Sequence, residues 1–296
     1  MADQAEQLRA AVEYSAGKGR VAGSCRTGCR AITVASGKGG VGKSNMVLNL
    51  ALLLTKMRYR VVVVDADLGL SNLDILINAA PRSTLADVIS GDCSIQEIII
   101  RGPLGLKIVP GGSGLYELAN LDQARRRYLL DQLKDLESEN DILLIDTGAG
   151  LSHTVISFIA AADDLILLTT PEPTALTDAY GLMKVIVGQS LRRQLFVAVN
   201  FVRLIGQGER SFERLKKVAG CYLPYLELRY LGEIQYDSAV SRAVQDFVPF
   251  VLSQPYSPAA SALSRIAWRL APGENRPVSD ERAAGGFFNR LKKFLT

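Results

Sequence analysis

Residues 37–44 read GKGGVGKS, directly behind the strand-like run 31–35 (AITVA) and ahead of an amphipathic stretch over 43–57. A strand that turns on glycines into a helix is an anion-binding device. The glycines let successive backbone N–H groups converge on phosphate oxygens, and the helix adds its positive N-terminal end. Gly37, Gly39, Gly40 and Gly42 supply the permissive backbone around Val41, and Lys43 opens the helix. The spacing is that of a phosphate-binding P-loop, in which Lys43 contacts the β- and γ-phosphates of a nucleotide and the Ser44 hydroxyl ligands Mg²⁺.

The rest of the chain keeps the same rhythm. Short β-branched runs predict strands over 31–35, 60–65, 106–109, 142–146, 164–169, 195–200 and 229–233. Helix-length patterns fall over 43–57, 122–138, 152–162, 174–189, 209–219, 237–245 and 257–269. Such alternation predicts one α/β domain with a mostly parallel sheet covered by helices on both faces. A length of 296 residues with 48% hydrophobic and 22% charged residues suits one large core. The longest apolar runs, 61–64 and 142–145, fall far short of the roughly 20 residues that cross a bilayer. The first residues, MADQAEQLR, carry acids and no apolar core, so they are not expected to act as a secretory signal, and the chain is expected in the cytoplasm. A net charge of +4 with no long basic run in the central region gives no reason to expect specific nucleic-acid binding. Cys25, Cys29, Cys93 and Cys221 are too few and scattered for a disulfide framework, and with His153 the only histidine they do not compose a zinc site.

The additional lysine inside the loop, Lys38, resembles the signature lysine of the deviant Walker A motif in the MinD/ParA family. There it reaches across a nucleotide sandwich dimer, which implies that ATP binding is the dimerisation signal; the alternative is a solvated lysine on a turn. The resemblance extends over most of residues 30–270. In VVVVDADLGLSNLD, Asp65 and Asp67 end a strand where the family has its first switch, and Asp67 resembles the acid that activates the attacking water. Carboxylates at such a strand end face the ligand crevice of a doubly wound sheet in any case. Asn72 and Asp74 either sense the γ-phosphate or cap the helix behind them. In ILLIDTGAG, Asp146 resembles the Walker B acid that holds Mg²⁺ through water, and 147–150 reads as a second switch. Asn200 resembles the family's adenine-recognising asparagine, or else caps a turn. The segment 171–173 (PEP) shapes the same pocket, and Asp237 beside Tyr236 fits a helix N-cap.

Both ends carry patterned segments behind linkers. In GGFFNRLKKFLT, Phe287, Phe288, Leu291, Phe294 and Leu295 gather on one helical face, with Lys292 and Lys293 on the other. A basic amphipathic helix suits an anionic membrane surface, and it is similar to the membrane-targeting helix of MinD. The alternative is docking on its own domain or on a protein partner. At the other end, Asp3, Gln4, Ala5, Leu8 and Arg9 form DQAxxLR, which resembles the N-terminal motif of the FlhG (FleN/YlxH) flagellar-number regulators. In that family it engages an FlhF-type, signal-recognition-like GTPase and stimulates its hydrolysis.

The expected organisation is a partner-binding helix and linker over 1–29, a P-loop ATPase domain over 30–270, a linker over 271–285 and a membrane-targeting helix over 286–296. The resemblance implies a slow ATPase with ATP and Mg²⁺ as cofactors. It implies a homodimer, anionic lipid, the GTPase, and flagellar transcription or motor-switch proteins as partners. The catalytic set is Lys38, Lys43 and Asp67. A ParA-type partitioning ATPase is the competing reading, which the phenylalanine face of the last helix disfavours. A nitrogenase-reductase-like carrier lacks its cluster ligands, since no cysteine falls between Cys93 and Cys221.

Overall fold

The computed structural model describes residues 28–67, 73–111, 123–271 and 286–294. Along the chain run β1 (Arg30–Ser36), α1 (Lys43–Lys56), β2 (Val61–Ala66), α2 (Leu73–Leu76), α3 (Leu85–Ser90), α4 (Ile95–Ile98), β3 (Ile100–Arg101) and β4 (Lys107–Val109). Then come α5 (Gln123–Glu139), β5 (Ile142–Ala149), α6 (His153–Ala161), β6 (Asp164–Thr169), α7 (Pro173–Gly188), β7 (Gln194–Val202), α8 (Gln207–Tyr222) and β8 (Glu227–Gln235). The series ends with α9 (Ser238–Gln245), α10 (Phe250–Ser253), α11 (Pro258–Leu270) and α12 (Phe287–Phe294).

The strands form one eight-stranded sheet in the order β3-β4-β2-β5-β1-β6-β7-β8. Only the β3–β4 pairing is antiparallel. Alternation along each strand sends side chains to two covered faces. Ile32 and Val34 of β1, with Leu144 and Ile166, pack under α1 and α11. Ala31, Val62, Val64 and Ile145 face α3, α4 and α5. Ala35, Leu165 and Val197 face α6, α7 and α8. Because β1 lies between β5 and β6 while the chain runs from it to β2, the loop after β1 opens at a switch in strand order, where doubly wound sheets hold ligands.

All seven expected strands and seven expected helices are present, with ends shifted by a residue or a few. The short elements β3, α3, α4 and α10 have no counterpart among the expected elements, whereas α2 is the short helix expected after the first-switch loop. Two of them carry a local signal nonetheless. Thr84 with Asp87, and Ser94 with Glu97, form reciprocal capping boxes at the starts of α3 and α4.

Candidate functional site

The P-loop owes its course to two glycine positions. A Cβ on Gly37 would stand 2.3 Å from the backbone carbonyl of Asp178, so α7 approaches the loop as closely as a glycine permits. Gly42 has a φ of 87°, a left-handed conformation that turns the chain into α1. Lys43 is then the first residue of α1, and its Nζ lies 2.7 Å from Asp146 Oδ1 at the end of β5. Both groups are buried, at 8% and 0% side-chain exposure. Burial pushes the Asp146 carboxyl above its ordinary value, opposed by the Lys43 charge and hydrogen bonds from Lys43 and Ser44. Its other oxygen, Oδ2, is buried with no hydrogen-bond partner among the described residues. Such an oxygen beside a serine hydroxyl is the donor chemistry that hard Mg²⁺ takes, so Ser44 and Asp146 fit the expected metal site.

Asp67, just beyond β2, lies beside Gly148 in the segment that follows Asp146. A Cβ on Gly148 would be 3.4 Å from Asp67 Oδ1, and the Asp67 charge bears on Asp146. Asp65 is structural. It is fully buried, and its two carboxylate oxygens accept from the Asp67 and Leu73 amides. Asp74 Oδ1 accepts from the amide of Ile75, so it satisfies a donor in the first turn of α2. Asn72 lies outside the described residues.

Lys38 leaves the loop on the exposed side, where its Nζ meets Glu172 Oε2 at 3.0 Å and Thr174 Oγ1 at 3.1 Å. The contact between Lys38 and Glu172 spans 134 residues of sequence, and no spacing rule reveals it. Asn200 is buried at the end of β7, and its Nδ2 donates to the Val41 carbonyl at 2.8 Å. It therefore braces the P-loop from below. Asp237 is the N-cap of α9, accepting from the Ala239 amide, and exposed His153 begins α6.

A family model described as an AAA domain matches residues 29–195. Antiactivator FleN of Pseudomonas aeruginosa is 38% identical over 239 residues, covering 81% of this chain and 85% of that protein. The flagellum site-determining protein YlxH of Helicobacter pylori is 36% identical over 269 residues, covering 89% and 90%. The chain belongs to the FleN/YlxH flagellar regulators of the MinD/ParA ATPase family. Among solved structures, the septum site-determining protein MinD of Pyrococcus horikoshii, complexed with Mg-ADP, superposes with a TM-score of 0.64. It is 26% identical, covering 82% of this chain and 96% of that one. A ParA-family ATPase of Chlorobium tepidum shares the fold at a TM-score of 0.67 and 20% identity, covering 82% and 99%.

For a FleN/YlxH relative, the placement of the last helix is the main departure from the expected picture. Phe287, Phe288 and Leu291, read as a lipid face, are 2%, 1% and 0% exposed, packed between α5 and α6. Phe287 stacks on Phe158 with ring centroids 6.1 Å apart. The Phe288 amide donates to Glu137 Oε1 at 2.7 Å, and Arg290 pairs with Asp163 at 2.7 Å and donates to the Ala161 carbonyl. Burial raises the Glu137 carboxyl above its ordinary value, while the Phe288 amide and Arg290 pull it down. In this conformation the apolar face is therefore covered by the chain's own domain. The physical reason is that an amphipathic stripe does not specify its cover, and the α5–α6 groove supplies both apolar and charged complements. Lys293 and Phe294 stay exposed and Lys292 is half-buried, while Leu295 lies outside the described residues. The motif residues Asp3, Gln4, Ala5, Leu8 and Arg9 lie outside them too. Among the described residues no helix is long and apolar enough to cross a membrane.

Proposed function

We propose that this FleN/YlxH-type regulator is a slow Mg-ATP-hydrolysing switch that dimerises on ATP, binds anionic lipid reversibly through α12 and sets flagellar number or placement. The observation that carries the reading is the buried Lys43–Asp146 pair beneath the P-loop, with an orphaned Asp146 oxygen beside Ser44. The names of the FleN and YlxH relatives support the flagellar role. On this reading Lys43 contacts the β- and γ-phosphates, and Ser44 and Asp146, the latter through water, hold Mg²⁺, which supplies charge neutralisation at the phosphates. Lys38 exchanges Glu172 for the phosphates of a second copy, and Asp67 orients the attacking water. Catalysis is positioning plus charge stabilisation, which these side chains provide.

The protein would work in the cytoplasm and at the inner face of the membrane. Its α12 must leave the α5–α6 groove before it meets lipid, and two copies in a dimer bind more firmly than one through effective concentration. Residues 3–9 engage an FlhF-type GTPase and stimulate it, and flagellar transcription or motor-switch proteins are the further partners. The test is Asp67→Ala. It is expected to bind ATP, form a dimer by light scattering and lower phosphate release at least about a hundredfold, in the range of lost water-positioning groups. A variant that stays monomeric with ATP, or turns over at the normal rate, overturns the assignment.

A further inference from the structure

Between β1 and β5 the strand register slips. Val34 pairs with Asp146, yet the next pair is Ser36 with Ala149, so Ala35 of β1 stands opposite both Thr147 and Gly148 of β5. On its other side β5 keeps step with β2, pairing Asp146 with Asp65 and Thr147 with Ala66. The extra residue is a β-bulge, a device that re-aims groups beside active sites. It follows directly on the acid that meets Lys43. Both ends of the bulge are tied to β1. Beyond it, the amide of Gly150, a left-handed residue with a φ of 92°, donates to the Ser36 carbonyl at 3.0 Å. Ser36 Oγ in turn donates to the Lys38 carbonyl at 2.9 Å, so this end is also fixed to the P-loop. At the near end the Thr147 hydroxyl donates to the Val34 carbonyl at 3.0 Å. Thr147 and Val34 are fully buried, so water does not compete for that bond.

The bulge sets what lies beside Asp67. Gly148 is its second residue, and a Cβ there would stand 3.4 Å from Asp67 Oδ1. The Asp67 amide is held separately, donating to Asp65 Oδ1 at 3.0 Å. Asp67 thus has its backbone fixed from β2 and its carboxylate set against β5. The Thr147 hydroxyl has one proton and a second acceptor in reach, the Gly148 carbonyl, also at 3.0 Å. Donation to Val34 ties the bulge across to β1, and donation to Gly148 gives up that tie. We propose that Thr147 is a positioning residue for ATP hydrolysis, whose hydroxyl, by holding the β5 bulge on Val34, fixes the spacing between Asp146 and Asp67. This rests on the Mg-ATP reading above, in which Asp146 holds the metal and Asp67 orients water, and it names the side chain that keeps the two in step. Being fully buried, Thr147 acts through those acids and not on the nucleotide.

The experiment compares Thr147→Val, Thr147→Ala and Thr147→Ser in the full chain by phosphate release, Mg-ATP calorimetry and thermal melting. Valine keeps the shape and loses the hydroxyl, whereas serine keeps the hydroxyl. Thr147→Val is expected to lower kcat about tenfold or more, since a misplacement of about 1 Å can cost about a hundredfold. KM and Mg-ATP affinity should stay within about twofold, the pattern of a contribution made only in the transition state. Thr147→Ser should recover most of kcat. Thr147→Ala takes the place of valine in this comparison if valine crowds the two carbonyls and lowers the melting midpoint. The proposal is overturned if the variants lacking the hydroxyl hydrolyse at the normal rate, if Mg-ATP affinity falls in step with kcat, or if serine recovers nothing. Those outcomes leave the ATP reading standing. If the unsubstituted chain binds no Mg-ATP or releases no phosphate, the ATP reading falls and this proposal with it.

Discussion

Lys43 and Asp146 are both removed from water, so neither charge can be deleted without stranding the other. Truncating one partner of a buried pair costs about 3–5 kcal/mol, more than the pair itself contributes. Thermal melts of the nucleotide-free protein should therefore show Lys43→Ala and Asp146→Ala each lowering the midpoint, and the double variant melting above the additive sum. Strict additivity would mean that the two groups do not depend on each other. The composition of this site was readable in advance, since GKGGVGKS and two strand-ending acids name their own chemistry. The bulge at Thr147 was not readable, because a slip of register between β5 and β1 has no signature in the letters around it. Nor was the partner of Lys38, which depends on how β6 and α7 deliver Glu172.

Among the elements, α12 shows that periodicity reports a face and not its cover. The stripe at 287, 288 and 291 was plain, yet the Glu137 carboxylate that accepts the Phe288 amide comes from α5, 151 residues away. Helix packing of this kind can be loosened by one cavity. Phe288→Ala removes a fully buried ring at a cost of about 3–5 kcal/mol, which an eight-residue helix held mainly by this face should not withstand. Trypsin cleavage after the half-buried Arg290 is expected to accelerate strongly in this variant while the central region stays resistant. Unchanged cleavage would mean that the Arg290–Asp163 and Glu137 contacts hold α12 by themselves. The short helices α3 and α4 went unforeseen because four to six residues cannot establish a period, although their capping boxes were there to be found. Two-residue β3 has no sequence signal at all and exists because β4 offers it a partner.

At the scale of the molecule, the phosphate loop and α12 belong to separate regions of the fold. The loop sits at the end of β1, whereas α12 covers the α5–α6 face. Deleting residues 287–296 should accordingly abolish co-sedimentation with anionic vesicles while ATP affinity is retained. Undiminished lipid binding would remove the membrane role from this helix. The sheet order has a separate consequence, in time. Arg30 of β1 pairs with Ile142 of β5, and Ile32 pairs with Asp164 of β6, so the strand that bears the loop has both neighbours encoded far downstream. At ribosomal speeds of about 5–20 residues per second, roughly ten seconds separate synthesis of β1 from that of its flanking strands. Until then the lysine of the loop has no acid to meet, and the nascent chain carries its nucleotide motif without a nucleotide site. Binding competence thus arrives late in translation, after β6 has left the ribosome, and not when the motif itself emerges.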